Sequence, residues 1–317
     1  MKILVTGGAG FIGSNVVDGY IGAGHDVAVV DDLSSGSVKN LNPKARFYLA
    51  DIRSKEIKKI FEMERPDIVN HHAAQISVPD SVADPANDAS INIAGFLNIM
   101  EASRKNGTKK VIFISSGGAV YGEVKSGAAD EGTRLSPFSP YAISKAVSES
   151  YLEFYRNHHG IDFTILRYAN VYGPRQVPHG EAGVVAIFMD RLINEIPCTL
   201  YHFSDEPKGM VRDYCFAGDV VRANLLALSR GSGQAFNIGT GIPTHTIGLF
   251  NAIFSALKKR FSGLPQGLKD PEKKEARPGD LKRSLLDAKK ARKGLSWRPM
   301  VDLKKGISLT LDWRLRK

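Results

Sequence analysis

Tyr141 and Lys145, in the segment Pro140 to Ser150 (PYAISKAVSES), are two side chains whose spacing can do acid–base chemistry. Four residues is close to one helical turn, so a phenol and an ammonium would share one face of a helix. A free tyrosine has a pKa of about 10, too high for a base at neutral pH, and a cation beside it favours the phenolate. Taken alone, Tyr-x-x-x-Lys is common on exposed helices. It gains meaning from a second pattern near the start of the chain. Val5 to Gly13 reads VTGGAGFIG, with Gly7, Gly10 and Gly13 three residues apart. Gly7 suits a tight turn out of a strand, Gly10 lets backbone amides approach a phosphate, and Gly13 lets the following helix lie close to a sheet. The helix N-terminus, opening at Phe11 and Ile12, then faces a pyrophosphate. Asp31, followed by Asp32, comes 18 residues after Gly13. A carboxylate there accepts hydrogen bonds from a ribose diol and repels a 2′-phosphate, which favours NAD over NADP. A cationic nicotinamide ring beside Tyr141 would further favour its phenolate, and Lys145 can hold the ribose hydroxyls.

The elements that must position these groups alternate. Lys2 to Thr6, His25 to Val30, Ala45 to Ala50, a segment beginning at Asp67 to Val69, Lys110 to Ser115, and Phe163 to Arg167 read as strands. Phe11 to Tyr20, Ala89 to Lys105 and the segment from Pro140 read as helices. Such alternation predicts an α/β fold with a doubly wound parallel sheet, whose ligands bind beyond the carboxyl ends of the strands. Asp31, Asp51, Ala73 and Ser115-Ser116 all fall at such ends. The loop with Ser34, Ser35 and Gly36 is placed to close over a ribose, and Asp51 and Ile52 to hold an adenine edge. His72, Ala73, Ala74, Gln75, Asn92 and Tyr168 complete the expected cofactor contacts. His71 and His72 invite a metal reading, but neighbours in a strand point to opposite faces. No acidic or cysteine partner has ligand spacing nearby, so no metal is expected.

After Gly180 the alternation weakens. Helices are expected at Val184 to Asn194, Asp219 to Leu228, Ile247 to Phe261, near Asp287 to Lys293 and at Leu303 to Arg314, with a strand at Phe236 to Gly239 and a loop over Ser262 to Arg277. The chain is therefore divided into a dinucleotide-binding part, 1–175 with a return segment near 214–242, and a smaller, discontinuous α/β part, 176–213 with 243–317.

Composition narrows the class. The 317 residues can bury a full core, and 43% hydrophobic with 24% charged residues suits a globular protein. Two cysteines, Cys198 and Cys215, fit a reducing cytoplasm and no disulfide scaffold. No apolar run approaches the roughly 20 residues that span a bilayer, so no membrane is expected. The net charge is +10, and residues 251–317 hold 19 of the 43 basic side chains but only 7 of the 33 acidic ones. These charges are dispersed at helical spacing without interleaved aromatics, which favours a solvated face that draws in an anionic substrate over a nucleic-acid platform.

Several stretches together resemble the extended short-chain dehydrogenase/reductase family, most closely its nucleotide-sugar 4-epimerases of the UDP-glucose type. They are VTGGAGFIG, SSGGAVYG (Ser115 to Gly122), YAISK, LRYANVYGPRQ (Leu166 to Gln176), VRDY, FNIGTG (Phe236 to Gly241), RPGD and LSWRP (Leu295 to Pro299). The resemblance implies a Rossmann fold with tightly held NAD and epimerisation at C4 of a UDP-hexose through a 4-keto sugar. Tyr141 would be the base and Lys145 its partner. It also implies a homodimer through helices such as Ala89 to Lys105 and Tyr141 to Asn157. Asn170, Arg212 and Arg277 resemble the family's diphosphate contacts, and Asp280 a helper at the nucleotide ribose. The competing reading of the two arginines is a surface ion pair. Relatives usually carry Ser or Thr four residues before the Tyr of VYG, where this chain has Gly117, so either Tyr141 touches the sugar 4-hydroxyl directly or Ser116 or a water fills the gap; direct contact, with Ser116 assisting, is expected. The Asp-Glu pair of related dehydratases is replaced by Gly118 and Ala119, which disfavours dehydration. Ser284 stands where some relatives have a bulky tyrosine, which extends the expected substrates to N-acetylhexosamines. A UDP-glucuronate 4-epimerase and a silent NAD-binding regulator are the alternatives.

Overall fold

A computed structural model describes residues 1–124, 126–178, 183–261, 263–277 and 280–316. Ser262 at the head of the expected loop, Pro278 and Gly279 of the RPGD motif, and Lys317 lie outside the described residues. The first half runs β1 (Lys2–Thr6), α1 (Phe11–Gly22), β2 (Asp26–Asp31), β3 (Arg46–Leu49), α2 (Glu56–Glu64), β4 (Ile68–His71), α3 (Val78–Ala83), α4 (Pro85–Ala89), α5 (Phe96–Lys105) and β5 (Lys110–Ser116). Next come α6 (Pro140–His159), β6 (Asp162–Tyr168), β7 (Asn170–Tyr172), α7 (Val184–Ile193), β8 (Thr199–His202), β9 (Val211–Arg212), β10 (Tyr214–Phe216) and α8 (Ala217–Ala227). The chain ends with β11 (Gln234–Ile238), β12 (Thr244–His245), α9 (Thr246–Lys258), β13 (Glu272–Glu275), β14 (Arg283–Ser284), α10 (Lys289–Gly294) and α11 (Leu303–Arg314).

Seven strands form one parallel sheet in the order β11-β6-β5-β4-β1-β2-β3. The chain builds outward from β1 to β3, then returns to β4 and builds the other way. The strand order therefore reverses between β1 and β4, the place where such sheets open a crevice. Alternate residues serve opposite faces. Ile3, Val5, Ile112 and Ile114 pack with Val16, Val17 and Tyr20 of α1 and Val220 and Ala223 of α8. Leu4, Val111, Phe113 and Ile165 pack with Ile57 and Phe61 of α2, Ile99 of α5 and Leu152 of α6. Burial on both faces explains why these strands read as nearly continuous apolar runs.

A third apolar cluster joins Phe188 and Leu192 of α7, Phe250, Ile253 and Leu257 of α9 and Ile307 and Leu311 of α11 with Tyr172, Tyr214 and Phe216. Short strands frame it: β7 pairs with β10, β9 lies between β12 and β14, and β13 pairs with β8.

Two expectations about elements need correction, and one helix is additional. The helix expected over 89–105 is α4, a π-helical turn at Ser90–Gly95, and α5. That turn carries Asn92, whose side chain is bound to the loop after β4. The expected loop over 262–277 contains β13, an exposed charged strand (EKKE) held by its ladder to Thr199–His202. The segment after Gln75 also forms a helix, α3, capped by Ser77, whose Oγ accepts from the Asp80 amide at 3.2 Å.

Candidate active site

The glycine turn follows from β1. Gly7 has φ +68°, the left-handed region, and a Cβ there would lie 2.6 Å from the Ala73 amide nitrogen. A Cβ at Gly13 would lie 2.1 Å from the Gly7 carbonyl oxygen. The first two strands of the switch point and the start of α1 thus close together only because these positions lack side chains. Asp31, at the end of β2, ties this turn to the next loop. Its Oδ2 accepts from the Ala9 amide at 2.9 Å and its Oδ1 from Leu33 at 2.8 Å. Burial raises its pKa above the usual carboxylate value, against those two amide hydrogen bonds. An ionised carboxylate has about four lone-pair positions, so acceptor capacity remains for a ribose. Asp32 is exposed and accepts from the amide and the hydroxyl of Ser34. A Cβ at Gly36 would lie 2.8 Å from Asp31 Oδ1, so that loop passes directly over the carboxylate.

Other expected cofactor residues separate into two groups. Ala73, Ala74 and Gln75 line the exit from β4, where His72 Nε2 is shut off from solvent and has no hydrogen-bond partner among the described residues. Burial, reinforced by the Lys145 charge, lowers the His72 pKa to about 3 and so keeps it neutral. His71 turns the other way. Its Nδ1 lies 2.8 Å from Thr6 Oγ1 and its ring stacks on Phe113. The glycine cradle, the Asp31 carboxylate and the orphaned imidazole nitrogen fit a dinucleotide.

Four of the expected side chains are engaged by other protein groups. Asp51 is ion-paired with Arg53 at 2.5 Å, which lowers its pKa. Ile52 belongs to the core beneath Gly95. Ser115 donates to Glu149 at 2.6 Å. For Tyr168, strand alternation turns the side chain toward α8, where its hydroxyl accepts from Asn224 Nδ2 at 2.6 Å, which leaves its backbone for any cofactor contact. The Asn92 amide, too, is engaged, exchanging hydrogen bonds with the Gln75 backbone and donating to Asp88.

At the carboxyl end of β5 lies the acid–base pair. Ser139 caps α6 by accepting from the Ala142 amide at 3.2 Å, and Pro140 occupies its first turn. Tyr141 and Lys145 then project from one face, the Lys145 ammonium 6.0 Å from the centre of the Tyr141 ring, and the Ser116 hydroxyl acts on the phenol to lower its pKa. Lys145 donates to the Ile114 carbonyl at 3.0 Å and lies 5.1 Å above the Phe113 ring centre. The expectation that Lys145 lowers the phenol pKa is corrected for the protein by itself. Burial pushes Tyr141 up to about 12, the Ser116 hydrogen bond opposing and Asp88 adding to it. Burial also pulls Lys145 down to about 8, with Asp88 and Glu149 opposing.

Across from this pair stand residues of the second part. Ser284, on β14, is in register with Arg212 on β9. A Cβ at Gly118 would lie 3.8 Å from Ser284 Oγ and 3.9 Å from Ser116 Oγ, so the missing side chain leaves both hydroxyls facing one space. At Gly117 a Cβ would instead meet Leu286 at 2.6 Å. Arg212 donates to the Val211 carbonyl at 3.0 Å, and burial lowers its pKa against the pull of Tyr214, Asp280 and Glu123. A desolvated guanidinium of this kind suits phosphate. Arg277 is paired with Asp280 (Nε–Oδ2 3.2 Å), as its competing reading expects, and also covers the Tyr201 ring at 4.8 Å. Asn170, on β7, donates its backbone N–H to the Asp213 carbonyl at 2.9 Å. No group of three or more His, Cys, Asp or Glu residues among the described residues is placed to hold a metal ion.

Sequence reasoning missed Asp88, Glu149, Arg167 and Tyr201. Glu149 had a signal, one further helical turn beyond Lys145. Asp88 had none, because its nearness to α6 is a product of tertiary packing.

The fold and this site define a family. Residues 3–239 match the model of the NAD dependent epimerase/dehydratase family, and the chain belongs to it. Among its relatives is the UDP-glucose 4-epimerase of Mycolicibacterium smegmatis, 43% identical over 99% of this chain and 98% of that protein. The crystal structure of UDP-glucose 4-epimerase with UDP-glucose from Thermotoga maritima superposes with a TM-score of 0.92 at 48% identity, covering 100% of this chain and 99% of that one. A UDP-glucose 4-epimerase of Thermus thermophilus in complex with NAD gives 0.91 at 44% identity, covering 99% and 98%.

Proposed function

We propose that this chain is an NAD-dependent UDP-hexose 4-epimerase that interconverts UDP-glucose and UDP-galactose. The observation that carries this is the meeting of Ser116, Tyr141 and Lys145 at the carboxyl end of β5, beside the glycine turn, in a chain similar to such enzymes over its whole length. NAD, when bound, supplies a reversible hydride acceptor for C4 of the sugar. Tyr141 takes the 4-hydroxyl proton and later returns it, while Ser116 holds the phenol in place. Lys145 contributes positive charge close to the phenol, which favours its anion. Arg212 and Arg277 hold the diphosphate, with Asn170 and Asp280 beside them. The 4-keto sugar then turns about that anchored end to present its other face.

The small Ser284 and the bare Gly118 support acceptance of N-acetylhexosamines as well. The division into parts 1–175 with 214–242, and 176–213 with 243–317, would put the sugar between them, although Leu286, Ala291, Leu295 and Trp297 of the last stretch pack into the core of the first part. A homodimer is supported by Ile143, Val147 and Phe154, which are 47%, 37% and 45% exposed along one side of α6. Such an apolar stripe is suited to a second copy of the same helix. Two buried, unbridged cysteines support a cytoplasmic setting, and no helix among the described residues is long and apolar enough to cross a membrane.

The test is incubation of purified protein with UDP-galactose and no added cofactor. Formation of UDP-glucose is expected. Absence of product with NAD present in the protein would favour the silent regulator, and turnover of UDP-glucuronate alone would favour the uronate enzyme. Turnover of UDP-glucose with none of UDP-N-acetylglucosamine would remove the extension to N-acetylhexosamines. Sedimentation as a monomer would remove the dimer.

A further inference from the structure

Asp88, on α4, lies outside the residues given roles above and is 0% exposed. Its Oδ2 accepts from Ser144 Oγ at 2.7 Å, and its Oδ1 from Asn92 Nδ2 at 2.9 Å and from Gln75 Nε2 at 3.4 Å. All three donors are neutral, and both oxygens act as acceptors, the pattern of an ionised carboxylate. A buried anion held only by neutral groups is costly unless a cation shares its surroundings. Ser144 immediately precedes Lys145, and α4 packs against α6. Among the charges that bear on Lys145, Asp88 acts more strongly than Glu149. Glu149 is already balanced by Arg167, whose Nε and Nη2 reach its two oxygens at 3.0 and 2.5 Å. The other titratable groups facing Lys145 are Tyr141, His71 and His72. Burial keeps the phenol protonated and both imidazoles neutral.

We propose that Asp88 is the counter-charge of Lys145, a buried anion that keeps the lysine an ammonium ion and makes Asp88 a positioning residue for the Tyr141–Lys145 pair. This inference rests on the proposed role of that pair. Its consequence is electrostatic. Ser144 and Asn92 hold the carboxylate at a fixed place, and its charge offsets the desolvation of the lysine. The hydrogen bonds that fix Asp88 also join the exit of β4 to the catalytic helix. A shift in the loop that carries Gln75 would therefore be felt at Lys145.

The experiment is a pH titration of Lys145 by NMR in full-length, isotopically lysine-labelled protein, with the signal assigned by its loss in Lys145→Met. The expected midpoint near 8 sets it apart from surface lysines at about 10.4. In Asp88→Asn the midpoint should fall by about one pH unit or more, as loss of a nearby opposite charge requires. In Ser144→Ala, which removes a hydrogen bond but keeps the charge, the midpoint should stay near that of the unaltered protein. An unmoved midpoint in folded Asp88→Asn overturns the proposal, as does an equal fall in Ser144→Ala. Should Asp88→Asn fail to fold, the double variant Asp88→Asn/Lys145→Met is expected to be more stable than Lys145→Met alone, because the unpaired buried anion is gone. A double variant no more stable than that single one also overturns it. None of these measurements uses turnover, so their failure leaves the epimerase function standing, and failed epimerisation leaves them readable.

Discussion

A Gly117→Ser substitution would restore the hydroxyl that relatives usually place four residues before the Tyr of VYG. A Cβ at this position lies 2.6 and 2.9 Å from the two terminal methyls of Leu286, and 3.3 Å from the Arg167 carbonyl oxygen. The carbonyl belongs to β6, which is paired on both sides and cannot yield. Leu286 must therefore move, yet it is 1% exposed and part of the core beneath β5 and β6. Overpacking of this kind costs about 1–3 kcal/mol. Urea unfolding should show a lower midpoint with an unchanged slope. Leu286→Ala alone should cost about 2–5 kcal/mol through the cavity it leaves. The double variant should cost less than the sum, with a coupling of about 0.5–3 kcal/mol, because the serine occupies part of that cavity. Turnover of UDP-galactose should not rise in Gly117→Ser, since Ser116 is the proposed partner of the phenol. A Gly117→Ser protein as stable as the parent, or one whose turnover rises tenfold, would refute this account. Either result would mean that Leu286 does not fill this space or that Ser116 is not the partner of Tyr141.

Four other outcomes are expected. Tyr141→Phe should lower turnover by about 10²-fold or more, and Ser116→Ala by less; full turnover in Ser116→Ala would remove its assisting role and keep the base. Glu149→Gln should lower stability by about 3–5 kcal/mol by leaving Arg167 buried and unpaired, whereas Glu101→Gln, at a surface pair, should cost less than about 1 kcal/mol; equal losses in chemical unfolding would contradict this. Gly13→Ala forces a carbon to within 2.1 Å of the Gly7 carbonyl oxygen, so calorimetry should find NAD binding lost, while Gly22→Ala at the far end of the same helix, where a Cβ meets nothing within 4 Å, should keep it as the control. In NAD-free protein Lys145 titrates near 8 against about 10.4 unfolded. Between those values the unfolded chain holds a proton that the folded chain has lost, so this group makes stability rise with pH. Urea midpoints compared between Lys145→Met and the parent should show that the variant lacks the rise.

The sequence alone determined the alternation of strands and helices, the glycine turn and the turn-by-turn spacing of Tyr141 and Lys145. Each of these is local, because a strand buried on both faces must be apolar throughout and a helix repeats every 3.6 residues. It also determined that Ile3 and Leu4, as neighbours in a strand, would serve opposite faces of the sheet. Tertiary structure decided where charge settles. Asp88 and Lys145 stand 57 positions apart in the chain, and only the packing of α4 on α6 lets one act on the other. Tyr168 looks like a site residue by its motif, yet its side chain turns to Asn224 because the far face of the sheet is filled by α8. The phenol of Tyr141 is likewise governed by how much water the fold excludes, which outweighs the opposing influence of Ser116. Desolvation belongs to the assembled molecule, since no residue's own spacing specifies which distant side chains will surround it.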